Sequence, residues 1–152
     1  MKTVIRGRIL TFKRAPIDSE DTDSYIYFDD GYVEIENQKI SSIGLFSDFI
    51  FESPNCEYTD YRPNLIMPGF IDTHNHFPQL QVIASYGTQL LDWLKNYTFP
   101  EEAKFKNYNY AKLVAKNFIN TLLDHGTTTS VSFCSVHVES VKALFEEAEK
   151  FT

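Results

Sequence analysis

The sequence predicts an α/β protein in which a small antiparallel β-sheet comes before a βα repeat with parallel strands. Over residues 1–64, short β-prone segments alternate with turn residues, which is typical of a small sheet. Over residues 65–152, a strand, a helix, a second strand and a second helix follow one another, and this order favours a parallel sheet. We therefore expect two domains, with strands and a connector over 1–64 and a βα domain over 65–152.

The first domain is predicted to consist of β-strands joined by turns. Its β-prone segments lie at residues 2–12, 25–28, 32–36 and 39–43. The Asp-Asp-Gly run at residues 29–31 indicates a hairpin turn, and the Asn-Gln pair at residues 37–38 indicates a second turn. The acidic residues 16–23 are expected to form a loop, and residues 46–63 an irregular connector.

The second domain is predicted to alternate strands and helices. Residues 65–73 are apolar and β-prone, which indicates its first strand. A helix at residues 109–125 is indicated by an apolar stripe with helical spacing, formed by Ala111, Val114, Ala115, Phe118, Ile119, Leu122 and Leu123. Gly126 occupies the position just after the helix, where glycine is preferred because it ends helices. Residues 127–133 are β-branched and apolar, which indicates a buried second strand. A second amphipathic helix, continuing to the C-terminus, is indicated by Val141, Leu144, Phe145 and Ala148.

The composition argues against several classes of protein. The 14 basic and 21 acidic residues give a net charge of −7, and no Lys/Arg cluster offers a nucleic-acid surface. No apolar run approaches the roughly 20 residues of a membrane span, and the N-terminus lacks signal-peptide features. Cys56 and Cys134 form no C-x-x-C pair, so a reducing cytoplasm is expected. We expect neither nucleic acid nor a membrane as a partner.

The most informative motif is the pair His74 and His76 at the end of a predicted strand. Residues i and i+2 of a strand point to the same face, so both imidazoles could bind one metal ion. Neutral imidazole suits Zn²⁺, and a hydrolytic zinc site adds an open position for water. An H-x-H pair by itself also fits ordinary loop histidines, but the preceding Pro-Gly turn, the apolar strand and Asp72 favour a metal site.

Residues 68–76, with the sequence PGFIDTHNH, resemble the first-strand signature of the amidohydrolase superfamily, whose members are metal-dependent hydrolases on a (β/α)₈ barrel. The resemblance continues through HFPQ at 76–79, LLDWLKNYTFPE at 90–101 and GTTT at 126–129, and this fuller pattern resembles the guanine deaminases. A complete barrel takes about 250 residues, which residues 65–152 do not supply. The resemblance therefore implies an N-terminal fragment that holds the first two βα units of an incomplete (β/α)₈ TIM barrel.

The resemblance implies zinc-dependent hydrolytic deamination of guanine, a small-molecule purine base, to xanthine and ammonia in purine catabolism. His74 and His76 would bind the one zinc ion expected in the complete enzyme, Gln79 would read the edge of the base, and Trp93 would line its pocket. A solvated loop role for Gln79 and a packing role for Trp93 stay open. The family's other ligands and its proton shuttle come from later strands, so no catalytic residue is assigned here and the chain alone should be inactive. A cytoplasmic enzyme, with a homodimer as one option, is expected.

Three further polar residues have roles that the sequence leaves open. Asp72 could support the metal strand through hydrogen bonds or cap the strand's end. His125 is expected at a helix C-terminus, where the helix dipole favours it, so a structural role leads. His137 follows the second strand and could face the site or cap the next helix.

Other catalytic motifs are missing from the sequence. The H-x-E and P-C-x-x-C motifs of the cytidine-type zinc deaminases do not occur, nor do H-E-x-x-H, a Walker loop or G-x-G-x-x-G. Two alternatives to a guanine deaminase stay open. One is another amidohydrolase that acts on a purine, pterin or triazine, and the other is a non-catalytic remnant or interaction fragment.

Overall fold

The computed structural model describes residues 2–50 and 56–151, and the chain divides into two compact units. The first unit is Met1–Pro68 and the second is Gly69–Thr152. This division falls four residues beyond the boundary expected from the sequence, because the strand that ends at Ile66 belongs to the first unit.

The first unit is built on a mixed β-sheet. Its described strands are β1 (Lys2–Phe12), β2 (Tyr25–Glu36), β3 (Lys39–Leu45) and β4 (Glu57–Ile66), in the order β3-β2-β1-β4. The β1–β2 and β2–β3 pairs are antiparallel, but β4 runs parallel to β1. The prediction of a purely antiparallel sheet is therefore wrong, and so is the prediction of an irregular connector over the residues that form β4.

The predicted Asp-Asp-Gly hairpin is also wrong, since β2 runs through residues 29–31 without a turn. Gly31 pairs with Gly7 of β1, and a Cβ on Gly31 would lie 2.6 Å from Ile9 Cγ1. The glycine therefore permits two strands to approach closely. The second predicted turn is confirmed, because Asn37 and Gln38 join β2 to β3 with φ angles of 52° and 64°.

The second unit contains a parallel pair of strands, as predicted. They are β5 (Phe70–His76) and β6 (Thr127–Phe133). The strand predicted over residues 65–73 is wrong at its start, because Leu65 and Ile66 pair with β1 of the first unit. Pro68 and Gly69 separate β4 from β5, so two strands of different sheets share the predicted range.

Helices connect β5 to β6 and follow β6. The α-helices are α1 (Leu90–Trp93), α2 (Phe99–Ala103), α3 (Tyr108–Asp124) and α4 (Val138–Ala148). A π-helical turn spans Leu94–Thr98, and short 3₁₀ helices lie at Thr22–Ser24, Phe46–Asp48, Phe77–Val82, Lys104–Lys106 and Glu149–Phe151. The predicted long helix is confirmed as α3, and Gly126 follows its end with a φ of +79°. The final helix is confirmed as α4, which passes into a 3₁₀ turn at Glu149.

The core of the second unit lies among its helices. Its buried members are Phe77, Phe105, Ala111, Val114, Ala115, Phe118 and Ala143. The prediction that β6 is buried is wrong, because Val131 is 59% exposed and Phe133 is 52% exposed. β-branched and aromatic side chains on a strand normally pack against neighbouring elements and are not exposed to solvent. Within residues 2–50 and 56–151, no helix is long and apolar enough to cross a membrane.

Candidate metal centre

The two histidines of β5 converge at its C-terminal end. The Nε2 atoms of His74 and His76 lie 3.3 Å apart, with ring centroids 5.3 Å apart. Two nitrogen ligands at ordinary bond lengths on a tetrahedral zinc ion lie about 3.3–3.4 Å apart, since each bond is about 2.0–2.1 Å long. The spacing of this pair therefore fits two ligands of one zinc ion.

Phe133 forms the wall beside both histidine rings. It is the last residue of β6 and pairs with His76 in the parallel register. Its ring centroid lies 4.8 Å from that of His76, with an interplanar angle of 13°, and 5.2 Å from that of His74. The sequence reasoning missed Phe133, although the matched ends of two parallel strands were a signal that could have found it.

Hydrogen bonds between side chains tie β5 to β6 beside the histidines. Asn75 Nδ2 donates to Ser130 Oγ at 2.7 Å, and Ser130 Oγ lies 2.7 Å from Ser132 Oγ. Among the described residues, Asn75 Oδ1 is buried without a hydrogen-bond partner. The register of the two strands is therefore held at the residue between the histidines.

Asp72 orients the backbone that leads into the pair. Its Oδ1 accepts a hydrogen bond from the His74 backbone N–H at 3.0 Å. The Asn75 side chain, followed by the His74 N–H, lowers the pKa of the Asp72 carboxyl below its ordinary value. Asp72 therefore acts locally as a carboxylate that fixes the backbone of β5 at His74.

Gln79 lies next to the histidine pair. It belongs to the 3₁₀ helix Phe77–Val82, which follows β5 directly. Its Nε2 lies 3.3 Å from His76 Nδ1 and donates to Glu102 Oε1 of α2 at 3.2 Å. The structure thus brings Gln79 to the site, together with Glu102, which the sequence reasoning missed and which no local pattern indicated.

The two ring nitrogens of His76 have different neighbours. An amide nitrogen donates and does not accept, so a hydrogen bond from Gln79 Nε2 to His76 Nδ1 requires the His76 tautomer whose ring proton lies on Nε2. Metal coordination through Nε2 would require the ring proton on Nδ1 instead. In that state the Gln79 nitrogen would keep Glu102 as its partner and lose His76 as an acceptor.

The neighbouring Glu101 has a separate role. It is buried, accepts a hydrogen bond from the Tyr110 hydroxyl, and pairs with Lys104 Nζ at 2.6 Å. Burial, together with this carboxylate, raises the pKa of Tyr110 to about 12. Glu101 therefore has its hydrogen-bonding partners away from the histidine pair, whereas Glu102 bonds Gln79 beside that pair.

The other predicted residues lie apart from the pair. Trp93 ends α1 beside Gly87, and no hydrogen bond or ring contact joins it to the histidines among the described residues. His125 Nδ1 lies 2.8 Å from the Thr121 carbonyl oxygen at the end of α3. His137 is the residue before α4, and its backbone N–H donates to Ser135 Oγ. These positions of His125 and His137 agree with helix-end roles.

The described part of the chain brings two candidate ligands together at this centre and not a full set. Within residues 2–50 and 56–151, no group of three or more His, Cys, Asp or Glu side chains could hold a metal ion. A catalytic zinc site takes three protein ligands and a water. His74 and His76 therefore fit two of the three protein ligands that such a site takes.

Comparison with known proteins gives a consistent set of relatives. A model described as the amidohydrolase family matches residues 65–152. The chain is 39% identical over 146 residues to the guanine deaminase of Escherichia coli, which covers 95% of this chain and 33% of that protein. It is also 41% identical over 98 residues to the guanine deaminase of Rattus norvegicus, which covers 63% of this chain and 22% of that protein.

Solved structures agree with the sequence relatives. The structure of the Escherichia coli guanine deaminase superposes with a TM-score of 0.90 at 37% identity, covering 97% of this chain and 35% of that one. A guanine deaminase from C. acetobutylicum, solved with guanine bound in its active site, gives a TM-score of 0.79 at 32% identity, covering 99% of this chain and 34% of that one. The chain spans about a third of the length of these relatives. The family match covers more than half of its residues, and the chain therefore belongs to the amidohydrolase family.

Proposed function

We propose that this chain is part of a zinc-dependent enzyme that hydrolyses guanine to xanthine and ammonia. The observation that carries the proposal is the 3.3 Å separation of the His74 and His76 Nε2 atoms at the end of β5. It is supported by the similarity to guanine deaminases over almost the whole chain. The identity of the substrate rests on these relatives, one of which was solved with guanine in its active site.

His74 and His76 would hold one zinc ion, and Gln79 and Trp93 would contact the base. Bound zinc would supply a water ligand with a pKa of about 7, which is a nucleophile at neutral pH. Phe133 restricts the movement of both imidazole rings by packing beside them. Asn75 holds β5 in register with β6, so the two nitrogens stay aimed at the same point. By the resemblance to guanine deaminases, the proton shuttle and the remaining ligands would come from later strands of the complete enzyme.

The finer fold proposal is that the second unit is the start of a (β/α)₈ barrel. Its two parallel strands and intervening helices have the order of two βα units. The exposed strand side chains Phe70, Ile71 and Val131 are supporting evidence, because barrel strands are covered by helices outside and side chains inside. The two-domain division near residue 64 belongs to the same proposal.

The proposal extends to the cellular setting and the partners of the enzyme. Both cysteines are free thiols, which agrees with a reducing cytoplasm. The acidic net charge of −7 favours a small purine base as the ligand rather than nucleic acid or an anionic membrane. A homodimer of the complete enzyme is retained as a proposal from the resemblance to guanine deaminases.

Removing either histidine in the full-length enzyme tests the proposed function. His74→Ala or His76→Ala should abolish zinc-dependent ammonia release from guanine. Each variant removes one protein ligand, and a catalytic zinc ion has only about three. Zinc content by atomic emission and the rate of xanthine formation are the measurements. His125→Ala is the matched control, since that ring bonds a helix-end carbonyl, and it should keep its zinc. A His74→Ala protein with full zinc and full turnover would contradict the assignment.

A further inference from the structure

The Gln79 side chain is hydrogen-bonded to an acidic residue, Glu102, to which the proposed reaction assigns no role. Its Nε2 donates to Glu102 Oε1 at 3.2 Å, across the contact between the 3₁₀ helix Phe77–Val82 and α2. Both side chains are half-buried, so the bond is sheltered from water on one side. Gln79 Oε1 accepts no hydrogen bond from any residue that the structure describes.

A primary amide can present either of its ends to a ligand unless a neighbour decides between them. A carboxylate has acceptor oxygens and no donor, so it binds the nitrogen end of an amide and rejects the oxygen end. Hydrogen bonds to a charged partner are also stronger than neutral ones. The Glu102 carboxylate therefore favours one of the two orientations of the Gln79 amide.

We propose that Glu102 is a positioning residue that fixes the Gln79 amide with its carbonyl oxygen free, so that the site favours a purine edge that carries an N–H donor. This inference rests on the proposed function, in which Gln79 contacts the base. Guanine meets the requirement with ring N–H and amino donors. A ligand with an unprotonated ring nitrogen at the same place would bring that nitrogen against the Gln79 oxygen. Both atoms are hydrogen-bond acceptors, so neither would gain a partner.

The proposal distinguishes Glu102 from the carboxylate beside it in α2. Glu101 is paired with Tyr110 of α3 and with Lys104 of the 3₁₀ helix that follows α2. Glu102 instead reaches the residue that follows the histidine pair by three positions. When His76 Nε2 is used as a ligand, its Nδ1 carries the ring proton and faces the Gln79 nitrogen as a second donor. The hydrogen bond to Glu102 is then the contact that keeps the nitrogen end of the amide in place.

A double-mutant cycle in the full-length, zinc-loaded enzyme tests the proposal, with guanine as the substrate. The variants are Glu102→Gln, Gln79→Ala and the two combined. An amide at position 102 can bind either end of Gln79, so it keeps the volume but removes the preference. We expect Glu102→Gln to raise KM about fivefold to tenfold, the size of one hydrogen bond, with kcat within about twofold. Glu139→Gln, at the start of α4, is the matched control.

The cycle separates a positioning role from a structural one. If Glu102 acts through Gln79, the double variant matches Gln79→Ala within about twofold, because the effects of coupled residues do not add. Zinc content and melting temperature should stay at the wild-type values. Independent effects that multiply, an unchanged KM, or loss of zinc in Glu102→Gln would each overturn the proposal. A wild-type enzyme that does not deaminate guanine would overturn the proposed function first, and this inference with it.

Discussion

The two sheets of this chain are held together in different ways. In the first unit, β1 lies between β2 and β4, and charged side chains pair across the strands, as Arg6 does with Asp30 at 2.5 Å. In the second unit, β5 and β6 pair with each other, and much of their apolar surface is exposed. The first sheet is therefore stabilised by pairing among its strands. Within the described residues the second sheet has only two strands, so its stability depends on the contacts made by residues at the ends of those strands.

The difference matters because the candidate metal centre lies on the second sheet. At the start of β5, Gly69 packs against Thr128, and at its end Phe77 enters the helical core directly after His76. These two contacts fix both ends of the strand that carries the histidines. The comparison predicts that changes at either end of β5 are costly, whereas changes in the first unit leave the site intact.

The largest effect is expected from Phe77→Ala. Phe77 is fully buried, with its ring 5.0 Å from Phe105 and 5.7 Å from Phe118. Truncation of such a side chain leaves a cavity and should lower the free energy of unfolding by about 3–5 kcal/mol. Urea unfolding of the purified protein measures this loss. Phe145→Ala is the control, because that ring is 66% exposed and its removal should cost no more than about 0.5 kcal/mol.

A smaller effect is expected at the other end of the strand, from Gly69→Ala. The added Cβ would lie 2.1 Å from Thr128 Oγ1 and 2.3 Å from Thr128 Cγ2, so the strands would have to separate. We expect a loss of about 1–3 kcal/mol in unfolding free energy. The double variant with Thr128→Ala should recover part of it, and a double variant that shows the plain sum of both losses would contradict the steric explanation.

A matched glycine in the first unit sharpens this test. Gly44 lies in β3, and a Cβ there would come 3.1 Å from Tyr32 Cε1, which belongs to a movable side chain. Gly44→Ala should therefore be tolerated better than Gly69→Ala by the same urea measurement. Equal losses at the two positions would mean that the two sheets respond alike, against the comparison.

Local signals in the sequence were enough to predict α3, β6 and the turn at Asn37–Gln38. A helical stripe and a glycine at its end are read from residues that are near one another in the chain. Contacts between distant residues decided the features that were predicted wrongly. The Asp-Asp-Gly run stays in β2 because β1 pairs with Phe28 before the two aspartates and with Gly31 after them. β4 forms beside a strand that lies more than 50 residues earlier in the chain.

The same distinction holds at the candidate site. The i, i+2 spacing on one strand was enough to place His74 and His76 together. Phe133 and Glu102 reach the site from β6 and α2, which are 57 and 26 residues beyond His76 in the chain. Side chains that arrive through the fold leave no periodic signal, so their roles required the three-dimensional arrangement.

The smallest expected effect concerns an ion pair of the first sheet. Hydrogen bonds from the Arg62 guanidinium and backbone N–H to Asp60 lower the pKa of that carboxyl to about 2, below its ordinary value of about 3.9. A carboxyl with a lowered pKa in the folded state favours folding above pH 4, and this contribution is lost as the pH falls towards 2. Asp60→Asn should therefore lower the melting temperature slightly at pH 6 and not at pH 2.

The Asp60–Arg62 ion pair lies in the first sheet, which does not contain the strand that carries the histidines. The pair is on the surface, so 0.5 M salt should reduce the difference between wild type and Asp60→Asn at pH 6. Asp23→Asn, at an exposed position of the 3₁₀ helix Thr22–Ser24, is the control for removal of one negative charge. Because Asp60 belongs to the first unit, its variant should retain the zinc content of the full-length enzyme, whereas Phe77→Ala should lose zinc together with stability. Loss of zinc in Asp60→Asn would show that the histidine pair depends on the first sheet as well as on the ends of β5.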